Sequence, residues 1–187
     1  MTPAYLGLLA LVGLARLVEL RISRRNQRNL EKLGVHKIAE PHFRWMVFTH
    51  AGILACAAAE VMVLHRPLIP YLAIAMAALF VFATALRWWV IRTLAGHWNV
   101  EVMASSRVGV VASGPYRWVR HPNYVAVVIE LFALPMIHTA WITALAGTLA
   151  NLEILRRRLH VEDSVLMADL AYRAAMGSKP RFLPKFF

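Results

Sequence analysis

The fold is decided by one long apolar stretch, PNYVAVVIELFALPMIHTAWITALAGTLANL, which runs from Pro122 to Leu152. It has a single formally charged residue, Glu130. As one helix it would extend about 46 Å, well beyond a bilayer hydrocarbon core of about 30 Å. Pro135 lies near its middle, and arginines flank both of its ends. We therefore predict a hairpin of two short helices, about 123–136 and 140–157.

Three further apolar stretches precede this hairpin. They cover about 3–20, 45–64 and 67–86, and the last of them carries no formal charge. About 20 apolar residues suffice to cross a membrane. A signal peptide is the rival interpretation of the first stretch, but its positive charges follow the apolar residues instead of preceding them. The sequence thus predicts an all-α integral membrane protein with about five transmembrane helices and a cytoplasmic C-terminal helical segment.

Composition and charge agree with a membrane protein. Hydrophobic residues make up 59% of the chain and charged residues 17%, whereas about a quarter of a soluble domain is charged. The net charge of +11 comes mostly from segments 21–44, 92–122 and 156–187, which hold 18 of the 21 Lys and Arg residues. Five spans place these segments on one side, which the positive-inside rule makes cytoplasmic. We expect the N-terminus outside, the C-terminus inside and no nucleic-acid partner.

The first group of candidate functional side chains lies directly before the hairpin, in GPYRWVRHPNY at 114–124. Gly-Pro predicts a turn, and Pro122 suits the first turn of a helix, whose free N–H groups favour an anion. An interfacial anchor of aromatic and basic residues is the alternative interpretation. The donors and flat aromatic surfaces come from Tyr116, Arg120, His121 and Tyr124.

A second group follows the hairpin, in RLHVEDSVL at 158–166. If the helix continues, Arg158 and Glu162 are i,i+4 neighbours. Glu162 and Asp163 are adjacent acids in a basic tail, and they suit a cationic or ribose-bearing ligand; a surface ion pair is the alternative. Within the hairpin, Glu130 is a further candidate because ionisable groups at membrane depth are costly, although a hydrogen-bonded structural role is equally open. The scattered histidines and the lone cysteine predict no metal site.

The two groups together resemble the isoprenylcysteine carboxyl methyltransferase family of membrane enzymes. Its R-x-x-x-E-E-x-x-L segment is matched at 158–166, with Asp163 in place of the second Glu, and Tyr172 and RFLP at 181–184 also match. The opening segment, RLVEL at 16–20, resembles a bacterial branch that methylates alkylpyrones or alkylresorcinols. The family's G-x-Y-x-x-x-R-H-P-x-Y segment is matched by Gly114, Tyr116, Arg120, His121, Pro122 and Tyr124.

The resemblance implies a bacterial inner-membrane enzyme that transfers a methyl group from S-adenosylmethionine to a lipophilic acceptor entering from the bilayer. It implies one domain, with N-terminal helices at 1–89 and a cofactor-binding catalytic part at 90–187. The alternative acceptors are a prenylated cysteine carboxylate and a phospholipid amine, and a small transporter or assembly partner is the non-enzymatic alternative. The implied cofactor-binding residues are Tyr116, His121, Pro122, Tyr124, Glu162 and Asp163. For the chemistry, Arg120 or Arg158 could bind the acceptor oxygen, and Glu130, Glu162 or His121 could accept a proton; the catalytic candidates are therefore Arg120, Arg158 and Glu130.

Overall fold

The computed structural model describes residues 2–38, 43–103 and 109–184. Within these ranges the secondary structure is helical, apart from an isolated antiparallel bridge between Lys37 and Met103. Arg107 and Lys185, which contribute to the predicted basic segments, lie outside the described residues. The α-helices are α1 (Thr2–Lys32), α2 (Phe43–Val63), α3 (Pro70–Leu94), α4 (Pro122–Met136), α5 (Trp141–Ala168) and α6 (Leu170–Met176).

The predicted helical hairpin is confirmed. Helix α4 ends at Met136 and α5 begins at Trp141, within one residue of the predicted bounds. Pro135 lies in the last turn of α4, and Thr139 takes a positive φ of 54° where the chain reverses. Helix α5 continues to Ala168, well past the predicted end at residue 157, so the second group of candidate residues is helical.

Among the residues that the structure describes, two helices are long and apolar enough to cross a membrane by length and composition. They are α2 and the stretch Pro70–His97, in which a short 3₁₀ turn continues α3; α4 is a shorter apolar helix. Helix α1 extends to Lys32, twelve residues beyond the predicted span, and its second half is rich in arginine. The total of five spans stays a prediction.

The largest apolar cluster joins the first four helices. Tyr5 and Val12 of α1 pack with Ala57 of α2, Phe80 of α3 and Leu134 of α4. The Tyr5 hydroxyl also donates to the carbonyl oxygen of Leu134, at 3.3 Å. Helix α1 is therefore packed into the bundle and is not a detached anchor.

The α2–α3 link and the tip of the hairpin meet at one end of the bundle. Thr139 Oγ1 donates to the carbonyl oxygen of Pro67 at 2.6 Å. The carboxylate of Glu60 accepts from the backbone N–H groups of Ile142 and Thr143, at 3.2 and 2.7 Å. A helix start leaves such N–H groups without intrahelical partners, so Glu60 of α2 caps α5.

The opposite end joins the extension of α1 to the segment that follows α3. Asn26 Nδ2 donates to the carbonyl oxygens of Ala95 and Trp98, at 3.0 and 2.8 Å. Ser23 Oγ accepts from the backbone N–H of Val100 at 3.0 Å. The extension of α1 is therefore docked on the segment that follows α3.

Candidate active site

The turn that leads into α4 depends on Gly114. Its φ of 55° lies in the left-handed region that glycine adopts without strain. A Cβ at this position would lie 2.4 Å from Thr93 Oγ1 of α3, closer than real contacts allow. The close approach of turn and helix positions the 3₁₀ turn Gly114–Arg117, which carries Tyr116.

The C-terminal segment is hydrogen-bonded to this same turn. The backbone N–H groups of Arg120 and His121 donate to the carbonyl oxygens of Pro180 and Arg181, both at 2.9 Å. Lys179 Nζ donates to the carbonyl oxygen of Tyr116 at 2.8 Å. The C-terminal segment thus packs against the N-terminal end of α4, although about 60 residues separate the two in the chain.

Asp163 is the centre of an ion-pair network at the N-terminal end of α4. Its buried carboxylate accepts from His121 Nε2 at 2.8 Å, Arg120 NH1 at 3.2 Å and Arg181 Nε at 2.8 Å. Burial acting alone would raise the pKa of this carboxyl, but these three donors hold the pKa below its usual value. Aspartate therefore reaches all three partners even though it is one methylene shorter than the family's glutamate.

Tyr124 links the two groups of candidate residues. Its hydroxyl donates to Glu162 and accepts from Arg158 Nε at 2.9 Å. The His121 ring is stacked on the Tyr124 ring, with centroids 5.4 Å apart and planes at 17°. His121 Nδ1 lies 3.8 Å from Glu162 Oε1. The segment before α4 and the last turns of α5 therefore form one hydrogen-bonded unit.

A cavity of about 730 Å³ adjoins this unit, a volume within the range of about 300–1,000 Å³ typical of small-molecule sites. Leu14 and Leu17 of α1 border it and are 60% and 55% exposed, so it opens at the side of the bundle. Its polar part is lined by Tyr116, Arg120, His121, Tyr124, Arg158, Glu162 and Tyr172. Its apolar part is lined by α1 and α2 residues, among them Gly13, Leu14, Leu17, Met46, Val47 and Leu54.

Two tyrosines of the lining lie outside the membrane-spanning segments. Burial, followed by the nearby charge of Glu162, raises the pKa of both Tyr116 and Tyr172 above the usual value of a phenol. Both side chains stay neutral at physiological pH. They offer aromatic faces and hydroxyl groups to a ligand, and no negative charge of their own.

Four residues of the lining carry a buried polar atom without a hydrogen-bond partner among the described residues. Buried polar groups are nearly always paired, so such atoms indicate a missing polar partner. The set contains both acceptors and donors, as a zwitterionic or nucleoside-like ligand requires. The atoms are Asn99 Oδ1, Arg120 Nε, Asn123 Oδ1 and Asn151 Nδ2.

The structure brings most of the sequence-predicted site residues together. Pro122 and Asp163 lie next to the cavity, as the first residue of α4 and the centre of the ion-pair network, but are not part of its wall. Glu130 is also outside the wall, where it accepts from Arg87 Nε and NH2 at 2.8 and 2.6 Å. The cavity wall contains Tyr116, Arg120, His121, Tyr124, Arg158 and Glu162.

Some residues of the site had no role assigned from the sequence. Tyr172 and Arg181 belong to segments that match the family, and that match could have indicated that both residues lie in the site. Asn123 lies inside the 114–124 segment, but the sequence pattern predicts no role for it. Asn99 and Asn151 are single amides in unrelated segments, and no local pattern marks them.

The chain belongs to the isoprenylcysteine carboxyl methyltransferase family, whose model matches residues 73–168. The family consists of methyltransferases that use S-adenosylmethionine, and together with the two apolar helices it identifies a membrane protein. The matched residues run from α3 to the end of α5 and contain both groups of candidate residues. The resemblance read from the motifs is therefore confirmed at the level of the family.

Two bacterial relatives of the chain are uncharacterized proteins. YpbQ of Bacillus subtilis is 29% identical over 160 residues, which is 85% of this chain and 94% of that protein. A protein of Haemophilus influenzae is 34% identical over 90 residues, which is 48% of this chain and 52% of that protein. Neither name carries information on the methyl acceptor.

Proposed function

We propose that this protein is a membrane O-methyltransferase that methylates a lipophilic acceptor with S-adenosylmethionine. The observation that carries the proposal is the single cavity that joins a polar part at Glu162 to an apolar part between α1 and α2. A charged, water-soluble cofactor and a lipid-soluble acceptor need walls of these two kinds. Their reacting atoms must also meet in one space, because alignment is the main task in a direct displacement.

The polar part of the cavity suits the cofactor. When bound, S-adenosylmethionine supplies an electrophilic methyl group on a sulfonium centre. Glu162 and the rings of Tyr116, Tyr124 and Tyr172 attract cations, here the sulfonium and the ammonium. The unpaired Nε–H of Arg120 suits the carboxylate. The unpaired amide atoms at this cavity suit the adenosine.

The ion-pair network keeps these binding groups in place before a ligand arrives. Asp163 holds Arg120 and His121, and Arg158 holds Tyr124 by its hydroxyl. Side chains fixed in this way lose little entropy on binding, which favours both affinity and alignment. Arg158 also connects the polar part to the apolar part, because its NH1 lies 3.6 Å from Met46 Sδ of α2.

The exposed apolar side chains of α1 and α2 form the entrance for the acceptor's hydrocarbon chain. Leu14, Leu17 and Val47 border the cavity and are exposed at the side of the bundle. The surrounding arginines favour an oxygen anion over an amine. An alkylpyrone or alkylresorcinol is the acceptor that we propose, and a prenylated cysteine carboxylate fits the family equally well.

We place the site at the cytoplasmic face of a bacterial inner membrane, in a chain with five spans. The exposed face of the α1 extension supports this orientation, because it is strongly basic. The opposite end, with the α2–α3 link and the hairpin tip, carries Arg66, which pairs with Glu60 at 2.8 Å. The basic residues of the extension are Arg21, Arg24, Arg25, Arg28 and Lys32.

Equilibrium binding of S-adenosylmethionine to the detergent-purified protein tests the proposal. We expect saturable binding that weakens at least tenfold in Glu162→Gln, about 1.4 kcal/mol. Glu153→Gln is the matched control, because Glu153 lies on the same helix but pairs only with the exposed Arg156 and Arg157 among the described residues. A folded wild-type protein without saturable binding would contradict the proposal.

A further inference from the structure

A second polar cluster lies beside the apolar part of the cavity, and the cofactor does not need it. Arg16 and Glu19 of α1, Arg87 of α3 and Glu130 of α4 form it. Arg16 NH1 donates to Glu19 at 2.7 Å and NH2 to Glu130 at 3.2 Å. Arg87 NH2 donates to Glu130 at 2.6 Å, and its NH1 lies 3.4 Å from Glu19. Two cations and two anions therefore form a closed, neutral ring, the arrangement that charges at membrane depth require.

Arg16 lines the cavity and is the most exposed member of the ring. Its side chain is 20% exposed, whereas those of Arg87 and Glu130 are 6% and 5% exposed. Its bonds to the two acids use NH1 and NH2. Within the described part of the chain its Nε–H remains for a ligand. Two carboxylates thus hold a guanidinium against the cavity in a fixed position.

His50 of α2 borders the cavity at the same place. Its Nδ1 lies 2.7 Å from the carbonyl oxygen of Met46, which can only accept, so the neutral ring carries its proton on Nδ1. Nε2 then presents a lone pair. The turns of α1 and α2 that carry Arg16 and His50 are neighbours, because a Cβ on Gly13, one turn before Arg16, would lie 3.6 Å from Leu54 Cδ1, one turn after His50. A proton acceptor and a donor to oxygen therefore both belong to this part of the cavity wall.

The pair lies next to the proposed cofactor end. Met46 precedes His50 by one helical turn, about 5–6 Å along the axis. The Met46 sulfur is 3.6 Å from Arg158 NH1, and Arg158 bonds the Tyr124 hydroxyl. The polar end of a lipid chain between α1 and α2 would therefore lie near Arg16 and His50, one helical turn from the contact of Met46 with Arg158.

We propose, as an extension of the function above, that His50 accepts the proton of a weakly acidic hydroxyl on the methyl acceptor while Arg16 binds its oxygen. The O–H bond breaks with its proton on His50 Nε2, and the oxygen's electron pair forms the bond to the methyl carbon. The electron pair of the broken carbon–sulfur bond stays on the departing thioether. A carboxylate has no proton to lose at neutral pH, so this pair selects phenols and enols.

A chromophoric phenol tests the proton acceptor without any methyl transfer. The probe is a long-chain 4-alkyl-2-nitrophenol, whose phenolate absorbs visible light, bound to the cofactor-free protein. We expect its phenolate-to-phenol ratio to be about tenfold higher in the wild type than in His50→Asn, equivalent to one pH unit. The asparagine keeps a donor for the Met46 carbonyl but lacks Nε2. The substitution leaves unchanged the four charged side chains of the ion-pair ring near His50, which are Arg16, Glu19, Arg87 and Glu130. Equal ratios would overturn the proposal.

Methyl transfer gives the second readout, with pentadecylresorcinol as the phenol and N-acetyl-S-farnesylcysteine as the carboxylate. For the phenol, His50→Asn should lower kcat about 100-fold and change KM little, as loss of a general base does. Transfer to the carboxylate should fall far less, whereas a merely structural role would slow both. Wild-type protein that binds the cofactor but does not methylate the phenol would overturn this inference alone. Failure to bind the cofactor would overturn the proposed function itself.

Discussion

His121 Nε2 lies 2.8 Å from Asp163 Oδ1, although 42 residues and a helical hairpin separate the two in the chain. The contact joins the first turn of α4 to the last third of α5. It exists because the hairpin returns the chain to the end of the bundle from which it started. The hairpin therefore serves as the scaffold that closes the candidate site.

Asp163→Asn should destabilise this end of the protein. The amide leaves the mostly buried Arg120 and the half-exposed Arg181 without a full counter-charge. Breaking such a pair costs about 3 kcal/mol. Unfolding in detergent, followed by circular dichroism, measures the loss. Asp163→Glu is the control, because it restores the family's usual acid and should unfold close to the wild type.

The lowered pKa of the Asp163 carboxyl should make the stability of the protein depend on pH. Its pKa is lower in the folded protein than in the unfolded chain. Its contribution is therefore complete above the unfolded value, near 3.8, and is lost as pH falls through the folded value. Unfolding midpoints between pH 3 and 7 should decline more steeply on the acidic side for the wild type than for Asp163→Asn. Parallel curves for the two proteins would count against the contribution.

Gly114→Ala should distort the turn that presents Tyr116. The new methyl group would meet Thr93 Oγ1 at 2.4 Å, and alanine at φ 55° is strained by about 1–2 kcal/mol. We expect a lower unfolding midpoint and weaker binding of S-adenosylmethionine. Gly96→Ala is the matched control, since a Cβ there meets nothing within 4 Å. Equal effects of the two substitutions would argue against a special role of the turn.

Glu60→Ala should weaken the far end of the bundle while it spares the site. It removes the acceptor for the N–H groups of Ile142 and Thr143 and the partner of Arg66. Loss of a helix cap costs about 1–2 kcal/mol. Glu60→Gln, which retains an acceptor oxygen, should lose about half as much. Thermal unfolding measures the loss, and the affinity for S-adenosylmethionine should stay within about twofold.

The length and charge of the 122–152 stretch were enough to predict the hairpin and the position of its turn. The extents of α1 and α5 were not predictable in the same way. Their final turns are polar and are held by tertiary contacts such as that of Asn26 with Ala95 and Trp98. Hydropathy marks where a helix can lie in a membrane and does not mark where it ends in water.

In the candidate site, too, some residues could be predicted from the sequence and others could not. The motif residues come together because the turn before α4 and the end of α5 are neighbours once the hairpin is known. The ring of Arg16, Glu19, Arg87 and Glu130 joins three helices that are distant in sequence, so no local pattern predicts it. The sequence indicates Glu130 as a candidate because it is a charged residue in an apolar helix. Only the packing shows which arginines neutralise it.

Transfer of an isotopic label from methyl-labelled S-adenosylmethionine to a lipid tests most directly whether the protein is a lipid methyltransferase. The purified protein in vesicles would receive pentadecylresorcinol or N-acetyl-S-farnesylcysteine, and the organic extract would be counted. We expect label in the extracted acceptor, reduced at least tenfold by Glu162→Gln and unchanged by Glu153→Gln. A protein that binds the cofactor yet labels neither acceptor would contradict the proposed function.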